Sequence, residues 1–392
     1  MVNSQLSLVN ALDWLYSTQA FGIKLGLEGV TRLLSACGVL YPRAQVIHVA
    51  GTNGKGSTCA FCESVARAAG YKTGLFTSPH LVEFSERIRV NGVNIPDADA
   101  ARLIGKVREL VLAVAMLWFA EQEVELIVLE TGMGGRLDAT NAVPKDVAVL
   151  APIGLDHTQY LGETLYEVAG EKAAILSWHR PAVSAPQEPE AMRAIHEAAQ
   201  RMDTYCRVIS TECDQPLGLK GEHQKRNAAL ALAALRALPH FLCSADEEAR
   251  GLAEVRWPGR FEEVLPGVIM DGAHNPHAMQ VLTRTWRETY GDAKARCIYA
   301  GSADKALDEV LELLSPIVGE WVLPPVQSPR ILSPAEMAAK VQAVSSAPVS
   351  TPPSLAECLA DMPAGTLICG SFFLLGEAKA ILRSAVYRTT VQ

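Results

Sequence analysis

Short apolar runs alternate with longer helical patterns along most of the chain. Val46–Val49, Leu126–Glu130 and Val147–Ile153 are continuous runs of strand length, which is typical of strands that are covered on both faces of a parallel sheet. Ser57–Ala69 and Ala228–Leu238 have the length and the composition of buried helices. This alternation predicts an α/β unit in the first part of the chain.

The same alternation starts again in the last third of the chain. Helices are predicted at Ala306–Leu314 and Leu374–Leu382, and short strands lie before, between and after them. These strand runs are Val268–Met270, Cys297–Ala300, Trp321–Leu323 and Thr366–Cys369. The sequence therefore predicts a second α/β unit behind the first.

A break in both patterns separates the two units. Trp257-Pro258-Gly259-Arg260 interrupts the helical and the strand periods, because proline and glycine favour turns. We therefore predict a first domain at residues 1–257, a second at 258–392 and a hinge near 257–263. The length of 392 residues, with 49% hydrophobic content, suits two cores and excludes a disordered chain.

Charge and apolar run lengths exclude two classes of partner. With 43 acidic against 35 basic residues, the chain lacks the basic surface that binding to nucleic acid requires. The longest apolar run, Leu110–Ala120, has 11 residues, whereas a membrane span needs about 20. Met1–Gln5 has no basic region typical of a signal peptide. Cys59 and Cys62 lie in a predicted buried helix, which they fit better than a metal or disulfide site. We expect a cytoplasmic protein that binds neither nucleic acid nor membrane.

The strongest local motif is a glycine-rich loop between a strand and a helix. Residues 47–58 read IHVAGTNGKGST, and such glycines let backbone N–H groups converge on an anion at a helix N-terminus. Lys55 would supply a charge for the terminal phosphates, and a following hydroxyl could contact Mg²⁺. Val49 replaces the first glycine of the usual phosphate-loop pattern, and Gly56 follows the lysine. A simple glycine-rich turn is the alternative, but the strand-loop-helix context favours a nucleotide site.

Acidic and imidazole side chains follow two of the predicted strands. Glu130 ends the run 126–130, and Asp156-His157 comes just after the next one. Ligand groups gather at the carboxyl ends of parallel strands, and Mg²⁺ prefers oxygen ligands. Each residue alone could equally be a loop or capping residue. Together, beside the phosphate loop, they predict a metal site.

A longer series of motifs runs through both halves of the chain in one order. They are Gly51–Thr58, Phe76–Leu81, Ser85–Val90, Glu130–Asn141, Gly154–His157, Glu171–Ile175, Gly221–Gln224, Asn227, Pro258–Arg260, Asp271–Pro276, Asp304-Lys305 and Gly370–Leu374. This set resembles the folylpolyglutamate synthase/dihydrofolate synthase family of the Mur ligase superfamily. The phosphate loop is typical of Mur-like ligases in general, whereas Thr77–Leu81 and Gly134–Asn141 point to the folate branch.

The resemblance implies a fold and a reaction. The fold would be an N-terminal P-loop ATPase-like Mur-ligase central domain plus a smaller C-terminal Rossmann-like α/β domain. ATP would phosphorylate dihydropteroate, or the γ-carboxyl of a reduced folate, and the amine of L-glutamate would attack the acyl phosphate, giving ADP and phosphate. Two Mg²⁺ ions would assist, and the family precedent is a monomer.

The resemblance also assigns metal ligands. Ser78 and Glu130 would hold a first Mg²⁺, and His157 would hold a second together with Glu130. Lys172 matches the lysine that this family carbamylates, which turns a cation into an anionic ligand and requires a neutral amine. Considered without the family, Lys172 beside Glu171 is more typical of an exposed helical ion pair.

The remaining site residues are also implied by the resemblance. The predicted catalytic set is Lys55, Lys172 and His274, with His274 near the transferred phosphoryl group or the glutamate. Arg136 and Asp138 would contact the folate substrate, and Ser371 the glutamate. The predicted ATP contacts are Thr52, Asn53, Gly54, Lys55, Gly56, Ser57, Thr58, Asn227, Arg260 and Asp271.

The chain departs from the family pattern in places. It is shorter near residues 108–111 and 205–221, Ala306 follows Asp304-Lys305 where a second Asp is common, and Ala174 replaces a glycine.

Two other functions compete with the folate ligase. One is a Mur-type amide ligase with a different acyl acceptor, and the other is a nucleotide-binding protein without ligase activity, which would not need the second-domain motifs.

Overall fold

The helices and strands of the chain divide into two groups, each built around its own sheet. The computed structural model describes residues 8, 11–12, 26–107, 111–303 and 306–384. The Asp304-Lys305 motif and the shortened stretch at 108–110 lie outside the described residues. Two α/β units in sequence are what the alternation of strand and helix patterns predicts.

The first sheet has eight strands in the order β4-β3-β2-β5-β1-β6-β7-β8. The strands are β1 Gln45–Ala50, β2 Thr73–Phe76, β3 Ile88–Val90, β4 Val93–Asn94, β5 Leu126–Glu130, β6 Val147–Leu150, β7 Ala182–Ser184 and β8 Cys206–Val208. All neighbours are parallel except β2–β3 and β3–β4. Val49 pairs with Glu130 and Ala50 with Leu150, so the strands β1, β5 and β6 end at one edge of the sheet.

Nine helices of the described chain pack on this first sheet and its loops. They are α1 Leu27–Ala36, α2 Lys55–Ala68, α3 Asp97–Val107, α4 Val111–Glu121, α5 Thr158–Leu161, α6 Leu165–Ala173, α7 Pro189–Arg201, α8 Glu222–Arg236 and α9 Ala245–Glu254. α4 is buried on nearly every side, which explains its apolar sequence. Across the described ranges, no helix combines the length and the apolar character that crossing a bilayer demands.

Helix α2 lies in the middle of the core beneath the phosphate loop. It packs against α8 and α9, and a methyl group added at Gly251 of α9 would come within 2.5 Å of Val65 Cα. Cys59 and Cys62 are buried free thiols in this helix, as predicted. The close packing fixes the N-terminus of α2, and so fixes Lys55 in its first turn.

The second sheet has six strands in the order β13-β12-β11-β14-β10-β9. The strands are β9 Glu262–Leu265, β10 Val268–Asp271, β11 Ala295–Tyr299, β12 Val318–Val322, β13 Val349–Ser350 and β14 Thr366–Cys369, and only β9 is antiparallel to its neighbour. The helices are α10 Pro276–Tyr290, α11 Leu307–Leu314, α12 Pro334–Val344, α13 Leu355–Ala360 and α14 Phe372–Leu382. Trp286, Trp321 and Tyr299 fill its core.

Several predicted bounds differ from the observed ones for physical reasons. The strand predicted at 147–153 ends at Leu150, because Pro152 has no N–H for the sheet and its carbonyl instead accepts bonds from the phosphate loop. Helix α8 begins at Glu222, six residues before its predicted start, since its first two turns are polar and carry no apolar period. Strand β12 likewise begins earlier than predicted, at Val318, because its second and third residues are exposed or half-buried.

The turn predicted as a hinge lies between α9 and β9. Gly259 has a φ of 70°, and its N–H donates to the Glu262 carboxylate at 2.8 Å. Lys379 of α14, which is buried, donates to both oxygens of that carboxylate at 2.5 and 2.6 Å. The segment of Leu81 and Val82 comes from the first unit but packs into a core of the second. The two units therefore share apolar contacts beside the turn.

Candidate functional site

The phosphate loop is held in place by neighbours on both sides. Gly54 has a φ of 78°, and a methyl group there would lie 2.7 Å from Asn227 Oδ1. A methyl group at Gly56 would lie 2.8 Å from Trp257 Nε1 in the predicted hinge. Glycine is therefore required at both positions, by backbone angle at the first and by close approach at both. Asn227 and Trp257 thus lie close against the loop.

Thr52 and Asn53 bind the chain that follows β6. Both backbone N–H groups donate to the carbonyl of Pro152, at 2.9 and 3.1 Å, and Thr52 Oγ1 donates to Gly154 O at 2.8 Å. These two N–H groups are therefore engaged within the protein. The anion-binding N–H groups left by this geometry are those of the first turn of α2, which have no partners within a helix.

Two lysines converge on one carbonyl at the centre of this edge. Lys55 Nζ and Lys172 Nζ each donate to Gly51 O at 3.1 Å, and Lys55 also donates to Thr52 O at 3.2 Å. Lys172 lies near the end of α6 and only 3% of it is exposed. Burial, together with the charge of Lys55, lowers the pKa of Lys172 from 10.5 to about 7. An exposed helical ion pair, the simplest interpretation of its sequence context, is wrong.

Glu130 lies at the end of β5, where the charge of Lys55 acts on it. It is buried, and one of its oxygens accepts a hydrogen bond from the Ser78 N–H at 3.3 Å. Burial raises the pKa of Glu130, and the positive charges of Lys55 and Arg260 oppose that rise. Ser78, Glu130 and Lys55 are thus brought together, and Arg260 reaches them from the predicted hinge.

His157 and Asp156 follow β6 on the other side of the loop. His157 has a φ of 52°, and its N–H donates to Asp156 Oδ1 at 2.9 Å. The negative charge of Asp156 acts on Lys172, partly offsetting the effect of burial on the pKa of that lysine. Within the described ranges, no group of three or more His, Cys, Asp or Glu side chains has the arrangement of a metal site. The predicted ligand set contains two side chains of these types, Glu130 and His157. Its other members are the Ser78 hydroxyl and Lys172, which would bind a cation only as a carbamate.

Two buried hydroxyls bear on whether this edge could hold a charged group. Among the residues that the structure describes, Thr58 Oγ1 and Thr131 Oγ1 are buried without a hydrogen-bond partner. Thr58 lies one helical turn after Lys55, and Thr131 follows Glu130 directly. Buried polar groups are normally paired, so these hydroxyls indicate a site that completes its hydrogen bonds with a bound species. The residues therefore fit phosphates and a divalent cation.

Asp138 organises the loop after Glu130. Its carboxylate accepts hydrogen bonds from the N–H groups of Gly132, at 2.8 Å, and Met133, at 3.2 Å, and from the hydroxyl of Thr140. The Thr140 hydroxyl in turn accepts from buried His48 Nε2 at 2.7 Å, because its only proton goes to Asp138. The carboxylate predicted to contact the folate substrate is thus positioned by the buried Thr140 hydroxyl, which His48 positions in turn.

Arg136 projects from the same loop into a pocket of about 430 Å³. Its Nε donates to Glu171 at 2.7 Å, and about half of its side chain is exposed. Tyr160 and Tyr166 also line this pocket. The pocket joins aromatic surface to a guanidinium group, and Glu167 and Glu171 belong to the same lining.

The second domain contributes the strand end of β10 and the helix ends that follow it. Asp271 accepts from the N–H groups of Phe261 and Ala273, both at 2.8 Å, and burial raises its pKa against the influence of Arg260. His274 Nδ1 lies 2.8 Å from Gly272 O, which leaves Nε2 directed away from its own loop. Ser371 accepts from Phe373 N–H and caps α14.

Side chains from the two domains meet across the cleft. Asn275 and Asn53 exchange amide hydrogen bonds of 3.3 Å, and Asn275 also donates to Asp156 Oδ2 at 3.3 Å. His274 Nε2 lies 4.0 Å from that same oxygen. Asn53 Nδ2 also contacts His277 Nδ1 at 2.9 Å. The cleft thus joins the phosphate loop to the strand end that carries His274.

Sequence reasoning assigned no individual role to Asn275 or His223, and it offered Asp156 only as a candidate beside the predicted metal site. An Asn directly before a Pro signals the start of a helix, so Asn275 could be predicted as a cap but not as a cross-domain contact. Burial, together with the positive charge of Arg260, lowers the pKa of His223 to about 4. All three residues lie within motifs that carry the family resemblance, but no local pattern shows which distant residues they contact.

Comparisons with known proteins give one consistent result. Residues 49–202 match the Mur ligase middle domain, and residues 259–369 match the Mur ligase, glutamate ligase domain. The dihydrofolate synthase/folylpolyglutamate synthase of Bacillus subtilis (strain 168) is 34% identical over 355 residues, covering 79% of this chain and 83% of the relative. These matches span both sheets.

Solved structures of similar proteins carry ligands. FolC of E. coli in complex with DHPP and ADP is 32% identical, with a TM-score of 0.87 over 96% of this chain and 98% of that one. The bifunctional folylpolyglutamate synthase/dihydrofolate synthase of Yersinia pestis, complexed with AMPPNP and a Mn ion, is 28% identical, with a TM-score of 0.87 over 98% of this chain and all of that one. Two proteins of the same fold are therefore known in complex with a nucleotide, one of them also with DHPP and the other with a Mn ion.

Proposed function

Because this chain belongs to the dihydrofolate synthase/folylpolyglutamate synthase family of Mur ligases, we propose that its cleft is where ATP activates a folate-type carboxylate for attack by L-glutamate. The chain is an ATP-dependent ligase that adds L-glutamate to dihydropteroate or to the γ-carboxyl of a folate. The family and the fold class predicted from the motifs are confirmed. A binding protein without ligase activity does not agree with this membership.

The convergence of Lys55 and Lys172 on Gly51 O is the observation that carries the residue-level proposal. Phosphoryl transfer to a carboxylate gathers negative charge on several oxygens at one place, and preorganised positive groups there lower the barrier. Lys55 neutralises the terminal phosphates, and the first-turn N–H groups of α2 hold the chain of phosphates. Arg260 approaches the same place from the hinge at 257–263, where we propose that the two domains move against each other.

A divalent cation fits the edge beside Lys55. Ser78 and Glu130 would hold a first ion, His157 would hold a second together with Glu130, and Lys172 would take part as a carbamate. When bound, such a cation neutralises charge on the transferred phosphoryl group. Oxygen ligands with one imidazole suit Mg²⁺ or Mn²⁺. The unpaired hydroxyls of Thr58 and Thr131 support a charged occupant of this edge.

Carbamylation of Lys172 is supported by its burial. The neutral amine would attack CO₂, forming an N–C bond and releasing one proton, and the product is an anion with two oxygens. A lysine with a pKa of about 7 holds a large neutral fraction at neutral pH, whereas an ordinary lysine does not. Incubation of the purified protein with ¹³C-bicarbonate should give a carbamate signal in a ¹³C NMR spectrum. A Lys172→Met variant should lack this signal, and its absence from the wild-type protein would contradict the modification.

The substrates occupy the two sides of the cleft in this proposal. The folate or dihydropteroate lies by Arg136, which lines the pocket of about 430 Å³ together with aromatic side chains, and by Asp138 of the same loop. L-glutamate lies on the second-domain side, near His274 and Ser371. Asp271 and Asn227 lie on the nucleotide side. We propose that the protein acts as a monomer in the cytoplasm, as the family resemblance implies.

The test compares two acceptors under one assay. Purified protein is incubated with ATP, Mg²⁺ and L-glutamate, with dihydropteroate, with tetrahydrofolate or with neither, and ADP and glutamylated product are measured by mass spectrometry. We expect ADP release only with a folate-type acceptor, at one mole of ADP per added glutamate. Activity with both acceptors identifies a bifunctional enzyme. ADP release with neither, together with activity on a different carboxylate, would overturn the folate assignment.

A further inference from the structure

We propose that Asn275 is a positioning residue that joins the phosphate loop to the second domain and so holds His274 over the reacting groups. The inference rests on the proposed function, since it assigns a role within the same ligase reaction. Asn275 is 97% buried and lies directly after His274 at the start of α10. It touches both Asn53 of the phosphate loop and Asp156 after β6.

Every hydrogen-bonding position of the Asn275 amide is used. Its oxygen accepts from the Ala278 N–H at 2.9 Å and from Asn53 Nδ2 at 3.3 Å. Its nitrogen donates to Asn53 Oδ1 and to Asp156 Oδ2, both at 3.3 Å. An amide offers two donors and two acceptor sites, so the count is complete. Capping a helix needs only the first of these bonds, and the other three cross between domains.

Asp156 extends the connection to the predicted metal edge. Its Oδ1 accepts from the His157 N–H at 2.9 Å, while its Oδ2 accepts from Asn275 and lies 4.0 Å from His274 Nε2. One carboxylate therefore holds the His157 backbone with one oxygen and the second domain with the other. Movement of either side changes the position of the other.

Asn53 links Asn275 to the phosphate loop, where we expect the nucleotide to bind. Its backbone is fixed to Pro152, and its side chain divides its two N–H donors between Asn275 Oδ1 and His277 Nδ1. Burial lowers the pKa of His277, which favours the neutral ring that can accept this bond. A change in the phosphate loop on nucleotide binding is thus passed to α10 through the half-buried Asn53 and the buried Asn275, with His277 as a more exposed contact.

A reciprocal exchange of amide and carboxylate tests the proposal. Asn275→Asp keeps the helix cap but faces Asp156 with a second carboxylate, and it should lower kcat at least about thirtyfold while ATP affinity stays within about threefold. Asp156→Asn alone should lower kcat about fivefold, because the amide can still accept from Asn275. The double variant restores a donor-acceptor pair with one charge, and kcat should return to within about tenfold of wild type, although independent effects would multiply to about 150-fold.

Two controls separate positioning from stability. Ser333→Ala removes the cap of α12, which also starts with a proline in the second domain, and it should lower the free energy of unfolding by about 1 kcal/mol without changing kcat. Asn275→Ser keeps a capping oxygen but cannot span the cleft, so its thermal midpoint should be no lower than that of Ser333→Ala while its kcat falls. These two variants keep the test valid if Asn275→Asp does not fold.

The outcomes distinguish a failure of the proposed function from a failure of the role assigned to Asn275. Wild-type protein without folate-dependent ADP formation would overturn the proposed function itself. Active wild-type protein with multiplicative losses in the double variant, or with full kcat in Asn275→Ser, would overturn the role of Asn275 alone. Small-angle X-ray scattering with AMPPNP and Mg²⁺ measures the radius of gyration, which loss of a helix cap alone should not change. We expect Asn275→Asp to give a larger radius of gyration than wild type and the double variant to reverse this.

Discussion

Replacing Lys172 by methionine should stabilise the protein and abolish its activity. Methionine keeps an unbranched apolar side chain, one heavy atom shorter, but removes the amine that is buried against Gly51 O and Lys55. The folded protein holds a lysine whose pKa is about 7, and the unfolded chain holds one with the ordinary value of 10.5. Burial of the ammonium form therefore costs about 5 kcal/mol at 1.36 kcal/mol for each pKa unit, wherever both states are protonated.

The sign of the pH dependence follows from proton counts. Between the two pKa values the unfolded state binds more protons at Lys172 than the folded state, so the stability of wild type rises with pH in this window. Below about pH 7 the full cost is present, and above about pH 10.5 it has vanished. Relative to Lys172→Met, wild type should therefore gain about 4 kcal/mol between about pH 6 and about pH 10.

Urea unfolding in CO₂-free buffer measures this difference. The free energy of unfolding of wild type and Lys172→Met is compared across the pH range, so that contributions from all other groups cancel. Lys340→Met, which replaces an exposed lysine paired with Asp308, is the matched control and should give no pH-dependent difference. A flat difference for Lys172→Met as well would refute the conclusion that this amine is desolvated.

Activity should move in the opposite direction from stability. Loss of a preorganised charged group at a reaction centre typically costs about 100-fold to 1000-fold in kcat, and we expect Lys172→Met to fall in this range. Its affinity for AMPPNP should stay within about threefold of wild type, because Lys55 and the first-turn N–H groups remain. Unchanged turnover would remove Lys172 from the site.

Three further predictions concern the cleft and the hinge. Thr140→Val removes the hydroxyl that holds the Asp138 carboxylate, and it should raise KM for the folate substrate about tenfold while KM for ATP is unchanged. Gly56→Ala would bring a methyl group to within 2.8 Å of the Trp257 indole nitrogen, so we expect weaker AMPPNP binding and a changed tryptophan emission spectrum; wild-type affinity would contradict the close approach. Lys379→Met leaves a carboxylate partly buried without its partner, and it should lower the free energy of unfolding by about 3 kcal/mol, measured by urea titration. A value near zero would indicate that solvent replaces the lysine.

The features that local sequence could predict are those that depend on neighbouring residues. The strand ending at Glu130 has its predicted bounds, and helix α2 follows the glycine-rich loop within two residues of its predicted start. Strand and helix patterns come from side-chain periods of two and 3.6 residues, and a phosphate loop needs its glycines, lysine and helix in one short stretch. Motif order along the chain was enough to identify the family.

Other features depend on packing between distant segments. No local pattern distinguishes Lys172 from an exposed lysine, because its burial comes from the loop after β1, more than a hundred residues earlier. Asp138 could be named as a candidate, but its support by Thr140 and His48 requires β1 and the loop after β5 to lie side by side.

The sequence by itself determined two α/β units, a phosphate loop and the chemical identity of the groups at its edge. Tertiary structure alone decided which of those groups lose contact with water and which touch across the cleft. Asn275 illustrates the difference, since its place before a proline fixes a helix start, whereas its bonds to Asn53 and Asp156 exist only when the domains meet. Hydrogen bonding within a turn is local, but desolvation and cross-domain contact depend on the whole chain, and these set the charge states on which the reaction depends.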